Sequence, residues 1–305
     1  MAEQAIKYPT DEELKKLISE EMEKVQNLPS ADVATLKKIY SCIDLTSLNS
    51  TDGPTSLDHW VDKVVFKVLD AHHDIKPAAI CVYPNFSRLV STKLKDTGIK
   101  TAVVSTCFPT GQTFQEVKDL ETKIAVEQGA QEIDMVVSRG YWNDGFQEKV
   151  IDEIKTQKAI CGEKAHLKVI LETCELLSLS SIYQLSYLAL QNGADFIKTS
   201  TGKGKHGATL EHYTAMCLAL RDYNAHTQTN HKGIKAAGGI SDAQTAMKFF
   251  TLTKNLLGKA DNTVFRIGAS GLANNLIDAI KSHDDHKQNL DQFESVDKKQ
   301  NTEVY

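Results

Sequence analysis

The chain has 305 residues, of which 41% are hydrophobic and 25% charged, and its formal net charge is −5. This length is enough for a sizeable core in one or two domains. No basic block or arginine stripe typical of nucleic-acid binders occurs, so a small-molecule partner is favoured over a nucleic acid. No secretory signal and no apolar run of membrane-spanning length is found. Six scattered cysteines without a Cys-x-x-Cys pair predict reduced thiols in a cytoplasmic protein.

The N-terminal segment opens with a capping box, from Thr10 to Glu13, which predicts a charged helix reaching about Asn27. We assign residues 1–39 to an N-terminal helical extension and residues 40–282 to one catalytic domain. Residues 283–305 are polar and predict a flexible C-terminal tail.

Eight apolar runs of strand length follow the extension, separated by segments with helical spacing of apolar residues. Strands that alternate with helices predict a parallel sheet, and a count of eight favours closure into an α/β protein of the (β/α)8, or TIM barrel, type. The predicted strands are Tyr40–Leu48, Ala78–Pro84, Lys100–Phe108, Glu132–Ser138, His166–Cys174, Asp195–Thr201, Gly233–Ile240 and Val264–Ser270.

Alternation along these strands separates polar from apolar side chains. One parity holds Ile43, Leu45, Ile133, Val169, Leu171 and Ile197, which suits the layer between barrel and helices. The other parity faces the barrel interior and includes Cys42, Thr46 and Phe196. It also carries ionisable groups from five strands, namely Asp44, Glu132, Asp134, Lys168, Glu172, Lys198 and Lys235. For Glu132, Glu172 and Arg266, structural ion pairs near the bottom of the barrel are an equally good interpretation.

Lys198 lies in the middle of the sixth predicted strand. Burying an unpaired ammonium is costly unless the group becomes neutral, and a neutral lysine is a nucleophile. A cationic neighbour such as Lys235, together with desolvation, would lower the pKa of Lys198. The pattern therefore predicts a nucleophilic amine inside the barrel.

Glycines follow the last three predicted strands, in "TGKG", "AAGG" and "IGAS". Such loops commonly supply backbone N–H groups to a phosphate, so a phosphorylated substrate is expected; simple tight turns are the alternative. The stretch Gly202–Gly207 also fits the dinucleotide pattern G-x-G-x-x-G, but five strands precede it and polar residues come directly before it. The histidines show no ligand spacing, so no metal site is predicted.

Six motifs, "DLTSLN", "EIDMVV", "KVILET", "DFIKTSTGKG", "GIKAAGGI" and "RIGAS", together resemble the deoxyribose-phosphate aldolase family in sequence and order. The resemblance covers nearly the whole predicted barrel. It implies a class I aldolase that reversibly cleaves 2-deoxy-D-ribose 5-phosphate to acetaldehyde and D-glyceraldehyde 3-phosphate, without a metal or other cofactor.

The same resemblance implies residue roles. Lys198 matches the Schiff-base lysine, Lys235 the second lysine and Asp134 the proton-relay carboxylate. The positions matching the substrate pocket are Asp44, Thr46, Cys81 and Lys168, and those matching the phosphate loops are Gly202, Lys203, Gly238, Gly239, Gly268 and Ser270. Two positions depart from bacterial members: Ser241 stands where Arg is frequent, and Gly271 where a second Ser is frequent.

The chain ends in Tyr305, as some bacterial relatives end in a tyrosine whose phenol helps to protonate the enamine. A solvated terminus is the alternative for this residue. For the whole protein, the alternatives are a transaldolase-like Schiff-base enzyme acting on a ketose and a sugar-phosphate-binding barrel without catalysis. A homo-oligomer is compatible with the sequence.

Overall fold

The computed structural model describes residues 7–72 and 74–283, and within them eight parallel strands close into a barrel. Each strand pairs with its neighbours in sequence, and the last strand pairs with the first. The predicted TIM barrel is confirmed. The strands are β1 (Ile43–Thr46), β2 (Ala79–Val82), β3 (Lys100–Ser105), β4 (Glu132–Val136), β5 (His166–Ile170), β6 (Phe196–Lys198), β7 (Gly233–Ala237) and β8 (Phe265–Ala269).

The described helices surround this barrel, and a π-helical turn, Asp62–Phe66, joins α3 (Pro54–Val61) to α4 (Lys67–Ala71). Residues 272–283 are also helical. Among residues 7–72 and 74–283, no helix is both long and apolar enough to cross a membrane. The others are α1 (Asp11–Glu23), α2 (Val33–Ser41), α3 (Pro54–Val61), α4 (Lys67–Ala71), α5 (Ser87–Lys93), α6 (Gln115–Glu127), α7 (Arg139–Asn143), α8 (Gln147–Cys161), α9 (Leu179–Gln191), α10 (Leu210–Thr227) and α11 (Ala243–Leu257).

The N-terminal capping box is confirmed. The Glu13 carboxylate accepts from the Thr10 N–H at 2.8 Å, and the Thr10 hydroxyl accepts from the Glu13 N–H at 3.3 Å. The helix ends at Glu23 rather than near Asn27. Its apolar side packs against α9 and α10, with Leu14 and Ile18 buried. The predicted tail lies outside the described residues from position 284 onwards.

The predicted separation by parity is confirmed along the strands. Ile43, Leu45, Ile133, Val169 and Ile197 lie in the apolar core shared with the helices, whereas the barrel interior holds the ionisable groups. Cys42 is an exception to the prediction, because it forms the C-terminal cap of α2 and precedes β1. Strand alternation does not extend to it, and it packs in the outer core.

Close backbone approach explains two glycines above the barrel. Gly238 follows β7 at a φ of +84°, and a Cβ there would lie 3.0 Å from the Cα of Gly207. A Cβ on Gly207 would overlap the carbonyl oxygen of Gly238. The loop after β6 therefore rests directly on the loop after β7, which fixes their relative position.

We expect Gly207→Ala to lower the free energy of unfolding by about 1–3 kcal/mol, because backbone atoms would have to move apart. Denaturant unfolding measures this change. Gly140→Ala is the matched control: it lies in α7 with only an ordinary contact at its Cβ position, so its stability should stay equal or rise. Equal stabilities of the two variants would contradict the account.

Candidate active site

Asp134 on β4 is the centre of a buried charge cluster inside the barrel. Its Oδ2 accepts from the Nζ atoms of Lys198 and Lys235, each at 2.7 Å. Its Oδ1 accepts from Lys168 Nζ at 3.0 Å. β4 to β7 are neighbours in the barrel, with Asp134 beside Lys168 and Lys198 beside Lys235. Lys168 itself pairs with Phe196, two residues before Lys198, so the ammonium groups approach Asp134 from different heights along the strands.

Two further carboxylates extend the cluster toward the bottom of the barrel. Asp44 accepts from Lys235 at 2.6 Å, from Lys168 at 3.0 Å and from Arg266 at 2.7 Å. Glu132 forms a two-point ion pair with Arg266, at 2.9 and 3.1 Å. For Glu132 and Arg266, the contacts agree with the interpretation as structural ion pairs near the bottom of the barrel.

The charges of this cluster single out Lys198. Three carboxylates, of Asp44, Glu132 and Asp134, face three cations, of Lys168, Lys235 and Arg266, in addition to Lys198. Lys198 pairs only with a carboxylate that two other ammonium groups already share. The cluster is therefore electrically neutral when Lys198 is a free amine and carries one excess positive charge when it is protonated.

The pKa directions follow this arrangement. Burial lowers the pKa of Lys198, and the positive charge of Lys235 lowers it further. The negative charge of Asp134 raises this pKa but offsets the other two effects only in part. Burial also lowers the pKa of Lys168 and Lys235, but the adjacent carboxylates outweigh it, so both pKa values are raised. Burial would raise the pKa of Asp134, yet its three ammonium neighbours hold that pKa well below the usual range. Lys198 is thus the amine that loses its proton most easily.

A cleft with a volume of about 460 Å³ opens above Lys198, and only 3% of the surface of this lysine is exposed to solvent. All six predicted phosphate-loop residues line it, but only one of the predicted pocket residues, Thr46, does. Ser241 and Gly271, where the sequence departs from the bacterial pattern, line it as well. The predicted residues in its wall are Thr46, Lys198, Gly202, Lys203, Gly238, Gly239, Gly268 and Ser270.

Other predicted residues lie elsewhere. Asp44 and Lys168 are fully buried in the charge cluster, beneath the cleft. Cys81 is buried too, with its Sγ 4.0 Å from Asp134 Oδ2. Tyr305 lies outside the described residues.

The prediction that Glu172 could sit in an ion pair near the bottom of the barrel is wrong. Glu172 follows the C-terminal end of β5, at the top, and its carboxylate accepts from the N–H of Thr201 at 3.2 Å and from the Thr201 hydroxyl. Its backbone is left-handed, with φ of +52°. This break in strand geometry redirects the side chain, which alternation could not reveal.

Sequence reasoning missed part of the cleft wall. Thr201, Ser47 and Asn49 line it although no role was expected for them. Asn49 donates through Nδ2 to Ser47 Oγ at 3.2 Å and to Asp52 Oδ1 at 3.1 Å. Ser47 and Asn49 follow β1, and Thr201 follows β6. This position could have identified them in the sequence, because residues that follow barrel strands line the top face.

Comparison with known proteins agrees with the geometry. The profile of DeoC/LacD family aldolases matches residues 39–276. The chain is 39% identical over 262 residues to a deoxyribose-phosphate aldolase of Bos taurus and 38% identical over 262 residues to one of Homo sapiens, with 82% of both chains covered in each case. The chain therefore belongs to the DeoC/LacD aldolase family, as its motifs indicated.

Among solved structures, the fold is similar to the deoxyribose phosphate aldolase from Aeropyrum pernix, which is described as tetrameric. The TM-score is 0.60 at 22% identity, and the match covers 90% of this chain and 99% of that one. At this identity the likeness concerns the fold alone.

The cluster predicts a pH effect. In Lys235→Leu, Lys198 loses its cationic neighbour, so its pKa should rise and the pH midpoint for cyanoborohydride trapping of acetaldehyde should move upward. Mass spectrometry of the trapped protein over a pH series measures the midpoint.

Lys232→Leu is the matched control, because Lys232 pairs with Asp195 and not with Asp134, and its midpoint should stay in place. An unchanged midpoint in Lys235→Leu, with trapping merely slower, would leave Lys235 with a proton-transfer role alone.

Proposed function

We propose that this protein reversibly cleaves 2-deoxy-D-ribose 5-phosphate to acetaldehyde and D-glyceraldehyde 3-phosphate through a Schiff base on Lys198. The observation that carries the proposal is a buried lysine of lowered pKa, hydrogen-bonded to Asp134, at the floor of a cleft lined by glycine-rich loops. Its family membership supports an aldolase reaction, and the Bos taurus and Homo sapiens relatives bear that enzyme's name.

The first step uses the free amine of Lys198. Its nitrogen attacks C1 of the open-chain sugar, and loss of water gives an iminium. The iminium nitrogen is positively charged, so at this stage the cluster carries one excess positive charge, as it does when Lys198 is protonated. Removal of the C3 hydroxyl proton then breaks the C2–C3 bond, and the bond electrons move into the iminium to form an enamine. The C3 carbon leaves as the aldehyde of glyceraldehyde 3-phosphate.

We assign the proton transfers to Asp134 and Lys235. The enamine takes a proton at C2, and water then hydrolyses the resulting iminium to release acetaldehyde and the amine. Asp134 Oδ2 contacts both lysine Nζ atoms at 2.7 Å, so a proton can pass from Lys235 through the carboxylate or an adjacent water. Lys168 and Asp44 keep this pair oriented from below.

The phosphate would bind at the far side of the cleft. Gly238 and Gly239, both with positive φ, expose backbone there, and residues 272–283 begin a helix next to Ser270. Backbone N–H groups and a helix N-terminus favour an anion. Lys203 lines the same side and supplies a positive charge.

The setting of the reaction is proposed on separate grounds. All six cysteines are free thiols, which supports the cytoplasm as the site of deoxyribose phosphate breakdown. A homo-oligomer, compatible with the sequence, is the first assembly to test here. Neither a nucleic acid nor a membrane is proposed as a partner.

Acetaldehyde release from deoxyribose 5-phosphate tests the function. We expect release that persists in EDTA, because the iminium rather than a metal ion is the electron sink. A transaldolase-like enzyme would yield no acetaldehyde, and a barrel without catalysis would bind the substrate without turnover. Loss of activity in EDTA that added metal restores would contradict the Schiff-base mechanism.

Gly271 offers a test of the phosphate end. Nothing lies within 4 Å of a Cβ placed there, so a serine fits and could donate to the phosphate. We expect Gly271→Ser to lower the KM for deoxyribose 5-phosphate about threefold or more, since a hydrogen bond to a charged group is stabilising. Gly271→Ala is the control without a donor. An equal KM in both variants would place the phosphate elsewhere.

A further inference from the structure

Glu172 is a buried carboxylate that the proposed mechanism does not use. Glu172 is fully buried, and among the described residues its carboxylate forms no salt bridge. A buried carboxylate is costly unless hydrogen bonds stabilise it. Here the donors are the N–H and hydroxyl of Thr201, with the Cys174 thiol 3.6 Å away.

A bulge in the backbone holds Glu172 in this place. Leu171 N donates to Lys198 O and Thr173 N donates to Thr199 O, both at 2.9 Å. Two residues of the chain after β5 therefore oppose one residue after β6, and Glu172 is the extra residue. Bulges of this kind re-aim a side chain and occur next to active sites. The left-handed backbone of a non-glycine residue adds a conformational cost that the surrounding contacts must offset.

The redirected carboxylate lies directly beneath residues 201–204, which we call the β6 loop. The Thr201 hydroxyl donates to Glu172 and accepts from the N–H of Lys203 at 3.0 Å. A Cβ placed on Gly204 would lie 3.1 Å from the carboxyl carbon of Glu172. Because the carboxylate can only accept, it also fixes the direction of the Thr201 hydroxyl proton. The loop's first turn is thus held from Glu172 through Thr201 to Lys203.

We propose that Glu172 is a positioning residue that holds the β6 loop, and with it Gly202 and Lys203, in the geometry that binds the phosphate of the substrate. The inference rests on the proposed function for the identity of the substrate. The binding of an anion by the loop can be measured without turnover. Lys198 lies on β6 itself rather than on the loop, so its chemistry should depend little on Glu172.

Glu172→Gln tests the proposal. Calorimetry with inorganic phosphate should show an affinity reduced about tenfold or more, since the two charge-assisted hydrogen bonds from Thr201 become weaker bonds to a neutral amide oxygen. The KM for deoxyribose 5-phosphate should rise to a similar extent, with kcat changed less than about threefold. Cyanoborohydride trapping of acetaldehyde on Lys198 should keep its wild-type rate.

Glu175→Gln is the matched control, because Glu175 lies in the short 3-10 turn Thr173–Glu175 that directly follows Glu172, but faces outward, in an ion pair with Arg139. Its phosphate affinity should equal that of the wild type.

A second pair of variants keeps the proposal testable if Glu172→Gln folds poorly. Thr201→Val removes the hydroxyl that links Glu172 to Lys203, whereas Thr201→Ser keeps it. We expect the valine variant to lose phosphate affinity and the serine variant to retain it. In a double-mutant cycle, adding Glu172→Gln to Thr201→Val should cost less than in the wild type, because the two act through one contact.

Unchanged phosphate affinity in both Glu172→Gln and Thr201→Val would overturn the proposal. So would a loss of acetaldehyde trapping in proportion to the loss of phosphate affinity, which indicates general damage to the fold. Failure of the wild type to release acetaldehyde would refute the proposed function instead, since phosphate binding is measured independently of it.

Discussion

A single carboxylate, Asp134, accepts from three lysine ammonium groups inside a closed barrel, and the rest of the site depends on that sharing. Burying a charge is tolerated only with partners, and removing one partner of such a set costs roughly 3–5 kcal/mol. The shared carboxylate lets three lysine side chains meet inside the barrel. It also leaves Lys198 with the weakest electrostatic support among the three lysines, which is what a nucleophilic amine requires.

The cluster has two functional halves within one network. Toward the bottom, Glu132 and Arg266 form a two-point ion pair that also reaches Asp44. Toward the top, Lys198 meets the cleft, where glycine-rich loops leave backbone exposed. The lower pairs hold Lys168 and Lys235 as cations, and these cations in turn keep Asp134 ionised. The pKa of Lys198 therefore depends on its burial and on Asp134 and Lys235, which the lower ion pairs in turn hold in place.

The sequence was sufficient for much of this arrangement. Eight apolar runs and the parity of their side chains predicted the barrel, its strand order and the interior position of Lys198, Lys235 and Asp134, because a period of two and a closed sheet leave few options. The glycine-rich exits predicted which loops line the cleft. All eight predicted strands were too long at the C-terminal end, and β1, β2, β6 and β8 were also predicted to begin too early, since alternation continues past the last ladder hydrogen bond.

Glu172 marks the limit of that reasoning. Its position in the alternation predicted an inward side chain, but one extra residue after β5 turns it to the β6 loop. Bulges depend on tertiary hydrogen bonds between neighbouring strand ends, and no local sequence pattern here announced one. Cys42 is a second case in which the alternation was misleading. Helix α2 continues to Ser41, so Cys42 is the C-terminal cap of this helix and β1 begins after it.

The central claim is that charge balance makes Lys198, and neither Lys168 nor Lys235, the reactive amine. The most direct test is borohydride reduction during turnover of deoxyribose 5-phosphate, followed by peptide mapping of the protein. The account predicts inactivation with a reduced two-carbon adduct on Lys198 alone. An adduct on Lys168 or Lys235 would contradict it, because those amines would then be the ones that lose a proton.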